Sequence, residues 1–96
     1  MYIAKRVLLV HDKIKKEDKR LELFFSMPIE DLSLQCFHVE VILSGFVDEV
    51  HNIAGVDSVD AVSLALRFAQ RRIAHLSESY TLRWDDGSSY EPNANI

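Results

Sequence analysis

Three side chains with metal-ligand or catalytic chemistry alternate along one short stretch, at Cys36, His38 and Glu40. Alternate residues of a β-strand share one face of a sheet, so a thiol, an imidazole and a carboxylate would line up there. Side chains two residues apart on a strand lie ~6.5–7 Å from each other, which is too far for all three to bind one ion. We therefore predict no metal site and no cofactor. An enzyme or metal site around Cys36 and His38 is kept as the weakest of three functional hypotheses.

The other nucleophiles, bases and acids form no recognisable catalytic pattern. No two of the four histidines lie three to five residues apart, and no serine lies in a Gly-x-Ser-x-Gly motif. The chain contains 3 glycines, which excludes a phosphate-binding P-loop and a dinucleotide-binding fingerprint. We assign no catalytic residue and predict that the protein is not an enzyme.

Charge is distributed unevenly along the chain, although the net charge is only −4. Residues 1–20 carry seven Lys or Arg against three acids. Residues 21–66, called here the acidic block, contain no Lys or Arg and eight acids: Glu22, Glu30, Asp31, Glu40, Asp48, Glu49, Asp57 and Asp60. Charge asymmetry of this kind bears on partners rather than on fold. A pI of about 5.5 argues against nucleic acid and against an anionic membrane surface as partner.

The single cysteine and the short apolar runs bear on the compartment. One cysteine cannot form an intrachain disulfide, so nothing favours an oxidising environment. The apolar run Val7–Val10 is too short for the core of a signal peptide or for a membrane span. We predict a cytoplasmic location.

The elements that position these residues follow from hydrophobic periodicity. Richness in β-branched and aliphatic residues predicts a strand over Tyr2–Val10, and alternating apolar and polar residues predict strands over Arg20–Met27 and Leu32–Leu43. Phe46–Ile53 is also predicted as a strand, although its apolar residues do not alternate cleanly, and Tyr80–Trp84 as a further short strand. Pro28 should end the second strand, and Glu30-Asp31 is predicted to form a polar turn.

One long helix is predicted from about Asp57 to Leu76. Asp57 is suited to cap its first turn. At 100° per residue one apolar arc forms, and we expect it to face the sheet: Val59, Val62, Leu66, Ala69, Ile73 and Leu76. Leu64 and Phe68 flank this arc and need a cover, which is either the C-terminal segment or a second subunit.

These elements predict a single α+β domain over residues 1–96. Its architecture is an antiparallel meander of four or five strands with one long C-terminal helix packed across one face. From about residue 86 to residue 96 we expect a loose tail.

A set of ordered motifs resembles a family of small bacterial domains of unknown function. The chain has Ile3-Ala4-Lys5-Arg6 in the first strand, then Pro28, Cys36 and a Gly55-Val56-Asp57-Ser58 motif at the helix start. The order of these features is similar to that family, whereas Asp60 stands where the family pattern has glutamine. The resemblance implies an α+β fold and a bacterial origin, and it implies no catalytic residue.

The acidic block leads to the first functional hypothesis, a non-enzymatic protein-binding module with an acidic surface. One form is an immunity-type protein that blocks a basic bacterial toxin by charge complementarity. The predicted contact residues are Glu40, Asp48 and Glu49, followed by Glu22, Glu30 and Asp31. The second hypothesis is a structural homodimer that uses Leu64, Phe68 and Trp84, so the chain is expected to be a monomer or a homodimer.

Overall fold

The computed structural model describes residues 1–91, which form one antiparallel sheet and one helix. In chain order the elements are β1 (Tyr2–Asp12), β2 (Glu17–Ser26), β3 (Ile29–Asp31), β4 (Cys36–Gly45), β5 (Glu49–Gly55), α1 (Ser58–Ser77) and β6 (Thr81–Trp84). The α+β class and the antiparallel sheet are confirmed. The predicted strand number was wrong, because six strands form. The helix is followed by β6 and is therefore not the last element.

Strands β2 and β3 lie end to end along one edge of β4, and β5 lies along the other. β1 pairs with the far side of β2, and β6 pairs with the second half of β1. The unpredicted strand β3 occupies the positions expected to form a polar turn. Pro28 interrupts the ladder there, since proline has no N–H to donate, but the chain continues beside β4.

Helix α1 packs on one face of the sheet, called here the helix face, and contacts mainly β4 and β5. The sheet contributes a fully buried apolar layer to this core, made of Leu8, Val10, Leu21, Leu23, Val39, Val41 and Leu43. The helix contributes Ala61, Ala65, Ala69, Ile73 and Leu76.

The predicted helix face was wrong in its N-terminal half, because Val59 is 76% exposed and Leu66 is 40% exposed. The cause is a close approach of two backbones. A Cβ atom on Gly55 would lie 2.4 Å from the backbone nitrogen of Ala61. Only small side chains fit beneath a helix that lies this close to a strand. The alanines therefore face the sheet, and the larger aliphatic side chains are displaced toward solvent.

The helix start is formed by two aspartates. Asp57 is the N-cap as predicted, and its carboxylate accepts from the Asp60 N–H at 2.7 Å. The Asp60 carboxylate accepts in turn from the Val56 N–H at 2.9 Å. Within residues 1–91 no helix has the length and apolar character needed to cross a membrane.

The segment after β6 packs against the sheet as far as Tyr90, which is only 4% exposed. Its ring meets Trp84 edge-on at 4.9 Å, and its hydroxyl accepts from Arg6 Nη1 at 3.1 Å. The expectation of a loose tail from about residue 86 therefore does not hold at Tyr90. Residues 92–96 of that expected tail lie outside the described residues.

Candidate functional site

The face of the sheet opposite α1, called here the open face, combines apolar and charged side chains. Its central row runs across four strands in register, through Lys5, Phe24, Ile42 and Val50. Phe24 and Ile42 are half-buried, and Val50 is 61% exposed. The helix α1 lies on the opposite face and does not cover these side chains, so a second molecule can reach them.

Two acids of the acidic block form ion pairs with other residues of the described range 1–91. On the open face, Glu22 Oε1 lies 3.5 Å from Lys5 Nζ and 3.3 Å from Arg20 Nε. On the helix face, Glu49 accepts from Arg72 at 3.0 and 2.6 Å through both carboxylate oxygens. The contacts of Glu22 therefore satisfy part of the opposition between the basic residues 1–20 and the acidic block, whereas Glu49 is paired with a cation of α1.

The carboxylate of Glu49 lies in a three-residue cluster with Arg72 and His51. His51 Nε2 lies 2.9 Å from Glu49 Oε1, and the His51 ring lies 4.6 Å from that of Phe68. The Arg72 guanidinium, followed by the His51 hydrogen bond, lowers the pKa of Glu49 from its ordinary 4.5 to about 2. Glu49 was predicted to contact a partner, but its carboxylate is occupied by contacts within the chain.

Four further acids of the block accept hydrogen bonds from nearby backbone N–H groups. Asp57 and Asp60 do so at the helix start, as described above. Asp48 accepts from Gly45 at 3.3 Å. Asp31 accepts from Ser33 and Leu34, and the Ser33 hydroxyl contributes most to lowering the pKa of Asp31. These carboxylates serve turns and caps.

Within residues 1–91, Glu30 and Glu40 are the two acids of the block whose carboxylates make no recorded ion pair or hydrogen bond. Glu30 is exposed on the short strand β3. Glu40 is half-buried in the middle of β4, on the open face. Of the predicted partner contacts, Glu40 is thus the one that combines a free carboxylate with a position inside the sheet.

Glu40 lines a surface groove of about 500 Å³, formed where Pro28 separates β2 from β3. The remaining walls are mostly apolar side chains, those of Met1, Tyr2, Met27, Pro28, Ile29 and Ile42, with Ser26 as a further polar residue. We call this concavity the Glu40 groove. Sequence reasoning identified Glu40 but missed its apolar walls. The signal available for them was the proline directly after an alternating strand.

Ser26 fixes the backbone of the groove at the strand break. Its hydroxyl accepts from the Glu40 N–H at 2.8 Å and donates to the Met27 carbonyl at 3.0 Å. The hydroxyl thereby replaces a ladder acceptor at the break. The Met27 N–H donates to the Met1 carbonyl at 3.0 Å, which holds the N-terminus beside the groove.

The predicted dimer contacts do not come together in the fold. The contact of Phe68 with His51 of β5 places it on the flank of α1 nearest β5, and Leu64 lies one turn earlier on that flank. Trp84 lies on β6, four strands from β5 and roughly 19 Å away at the usual spacing of strands. One interface cannot be centred on all three residues.

Cys36 and His38 lie on the open face of β4, in register with Asp31 and Ile29 of β3. Neither lines the Glu40 groove. Within residues 1–91 no group of three or more His, Cys, Asp or Glu side chains is arranged to hold a metal ion.

Comparisons of this chain with protein-family profiles, with curated proteins and with solved structures found no match. The resemblance to a family of small bacterial domains therefore stays a prediction.

Proposed function

We propose that this protein is a non-enzymatic protein-binding module that binds a basic partner through the open face of its sheet. The Glu40 groove receives a lysine or arginine side chain of that partner. The observation that carries this proposal is the carboxylate of the half-buried residue Glu40, which forms no ion pair within residues 1–91.

The composition of the groove fits a long cationic side chain. The stem of lysine or arginine is a chain of methylene groups that packs on apolar walls, while its charged end needs an anionic acceptor. Tyr2 offers an aromatic face to a guanidinium, and Met1 and Met27 have flexible side chains that adapt to the shape of a partner. Glu40 supplies the anion.

An immunity-type role is the specific form that we propose for this module. A protein that neutralises a toxin must bind it quickly and tightly, and opposite surface charges accelerate such an encounter. A toxin with a basic binding surface is the class of partner that fits.

The test uses the full chain as bait in a lysate of the native host, followed by binding measurements on the captured protein. Because a hydrogen bond to a charged group is worth roughly 1.5–3 kcal/mol, Glu40→Gln should weaken binding about tenfold or more. Association by the wild type should also slow as salt is added.

The matched control is Glu78→Gln, which removes the same charge from an exposed acid at the far end of α1. We expect the control to bind like the wild type. Equal affinity of the Glu40→Gln variant and the wild type would refute a role for the groove. An association rate that depends neither on salt nor on these charges would refute an acidic recognition surface.

A further inference from the structure

The sheet has several free edges, and all but one carry a feature that prevents pairing with another strand. Exposed edges are usually protected by short length, by proline or lysine, by bulges or by covering segments. β3 has three residues and follows Pro28. The free half of β1 carries Lys5, Arg6 and a register shift between Tyr2 and Ala4. β6 has four residues, and Arg83 forms a bridge with Ser89 on its outer side.

The outer edge of β5 has none of these protections. This strand is seven residues long, contains no Lys, Arg or Pro, and pairs with β4 without a register shift. Its one charged residue, Glu49, is held on the helix face by Arg72. Among residues 1–91, β4 is the only strand that pairs with β5. The edge is therefore ready to accept another strand.

We propose that the occupant of this edge is the β5 strand of a second copy of the chain, related by a two-fold axis near Asn52. Antiparallel pairing of β5 with itself would join the two sheets into one. An identical strand is already extended, so its ordering costs little on association. With the axis at Asn52, Glu49 faces Gly55 of the second copy, and no like charges meet within the strand pair.

The position of α1 supports this symmetry. α1 contacts β4 and β5 about equally, so its axis lies near the midline between them. With strands ~4.8 Å apart, the two helix axes of the dimer would lie about 10 Å apart, which is the separation of packed helices. The new strand pair and a helix–helix contact would thus form together.

Two contacts between α1 and β5 show how far along the helix each residue lies relative to the two-fold axis. Ala61 lies against Gly55, and Arg72 pairs with Glu49, so α1 runs antiparallel to β5. The two-fold axis then crosses the helix midway between Ala61 and Arg72. Across this axis Phe68 of one copy lies beside Leu64 of the other, on both sides of the interface. These half-buried apolar residues would cover each other.

The charges on the same flank of α1 are also complementary. Asp60 and Arg71 lie within about 20° of each other around the helix, at 100° per residue. The two-fold axis brings Asp60 of one copy to within about 3 Å, along the helix axis, of the level of Arg71 of the other, and Asp60 Oδ1, which Val56 does not use, would be the acceptor. Within the described chain Arg71 has no recorded acid partner. Two such pairs would form per dimer.

Sedimentation equilibrium on the full chain tests the proposal. We expect a dimer of about 22 kDa, twice the chain mass of 11.0 kDa, that dissociates on dilution. Arg71→Glu should raise the dissociation constant roughly tenfold or more, because at each of the two symmetric contacts it places a carboxylate beside Asp60 of the other copy. The control Arg83→Glu makes the same charge change on β6 and should leave the dissociation constant unchanged.

A cross-linking experiment tests the symmetry directly. In a Cys36→Ser background, Asn52→Cys should form a covalent dimer under mild oxidation, because the two-fold axis places this residue beside its own copy. Arg83→Cys, on the opposite edge of the sheet, should not. A monomer at every concentration, or a cross-link at position 83 instead of 52, would overturn the proposal. Neither outcome bears on the Glu40 groove, which lies on β4 and needs no second copy.

Discussion

Replacing Glu49 by glutamine should destabilise the fold at neutral pH and leave it nearly unaffected in acid. The carboxylate accepts two hydrogen bonds from Arg72 and lies 2.9 Å from His51 Nε2, so the substitution removes the anion of a three-residue cluster. Glu49 and Arg72 are 23 residues apart in the chain, and their contact joins α1 to β5. Its loss should therefore appear in global unfolding.

The magnitude follows from the pKa of Glu49, which lies at about 2 in the folded chain against an ordinary 4.5. Each pKa unit corresponds to 1.36 kcal/mol, so the full shift would be worth about 3.4 kcal/mol. The Glu49 side chain is still 25% exposed, and solvent screening reduces this to about 2 kcal/mol. Because the folded pKa is the lower one, this stabilisation is present above pH 4.5 and is lost as the pH falls toward 2.

The assay is equilibrium unfolding in urea at pH 7, 4 and 2.5, at a fixed protein concentration. The gap in unfolding free energy between the wild type and Glu49→Gln should be about 2 kcal/mol at pH 7 and should shrink through the acidic range. For the exposed control Glu78→Gln the gap should stay near zero throughout. A gap for Glu49→Gln that is equally large at pH 2.5 and pH 7 would show that shape rather than charge is responsible, and would refute the reasoning.

Two further predictions concern close packing. Gly55→Ala should lower the free energy of unfolding by about 1–3 kcal/mol, because its new Cβ would clash with the backbone of Ala61. Gly87→Ala should lower it less, since only the φ of +89° resists the change and no atom lies within 4 Å of the new Cβ. Chemical denaturation compares the two variants, and equal losses of unfolding free energy would contradict the packing argument. Tyr90→Phe should cost about 1 kcal/mol through the lost hydrogen bond from Arg6, and Tyr90→Ala about 3 kcal/mol through the lost ring. Thermal unfolding measures both, and an unchanged midpoint for Tyr90→Ala would mean that this ring does not stabilise the fold.

Elements with local signals could be predicted from the sequence. Alternation located β2 and β4, richness in β-branched and aliphatic residues located β1, and the short polar side chain before an apolar run located the N-cap at Asp57. β3 was missed because three residues after a proline give too short a pattern to distinguish a strand from a turn. The orientation of α1 was missed because periodicity favours large aliphatic residues, whereas the close approach at Gly55 favours alanine.

The candidate site could be predicted only in part, because charge along the sequence does not indicate which charges are satisfied. Glu40 and Glu49 have the same side chain and lie in the same acidic block. Their difference depends on Arg72, which lies outside the block and reaches Glu49 only after α1 folds back over β5. The groove walls likewise combine the N-terminus with a strand break more than twenty residues away.

The contacts of Trp84 make it a natural optical probe. It is the chain's single tryptophan, and it contacts both Arg6, whose guanidinium is 5.1 Å from its ring, and Tyr90. Its fluorescence should therefore change when the segment around Tyr90 leaves the sheet. The ring lies on the helix face at the β6 edge, away from both the Glu40 groove and the outer edge of β5. Emission from Trp84 should report folding without responding to either proposed binding event, so stability and association can be measured separately on the unlabelled protein.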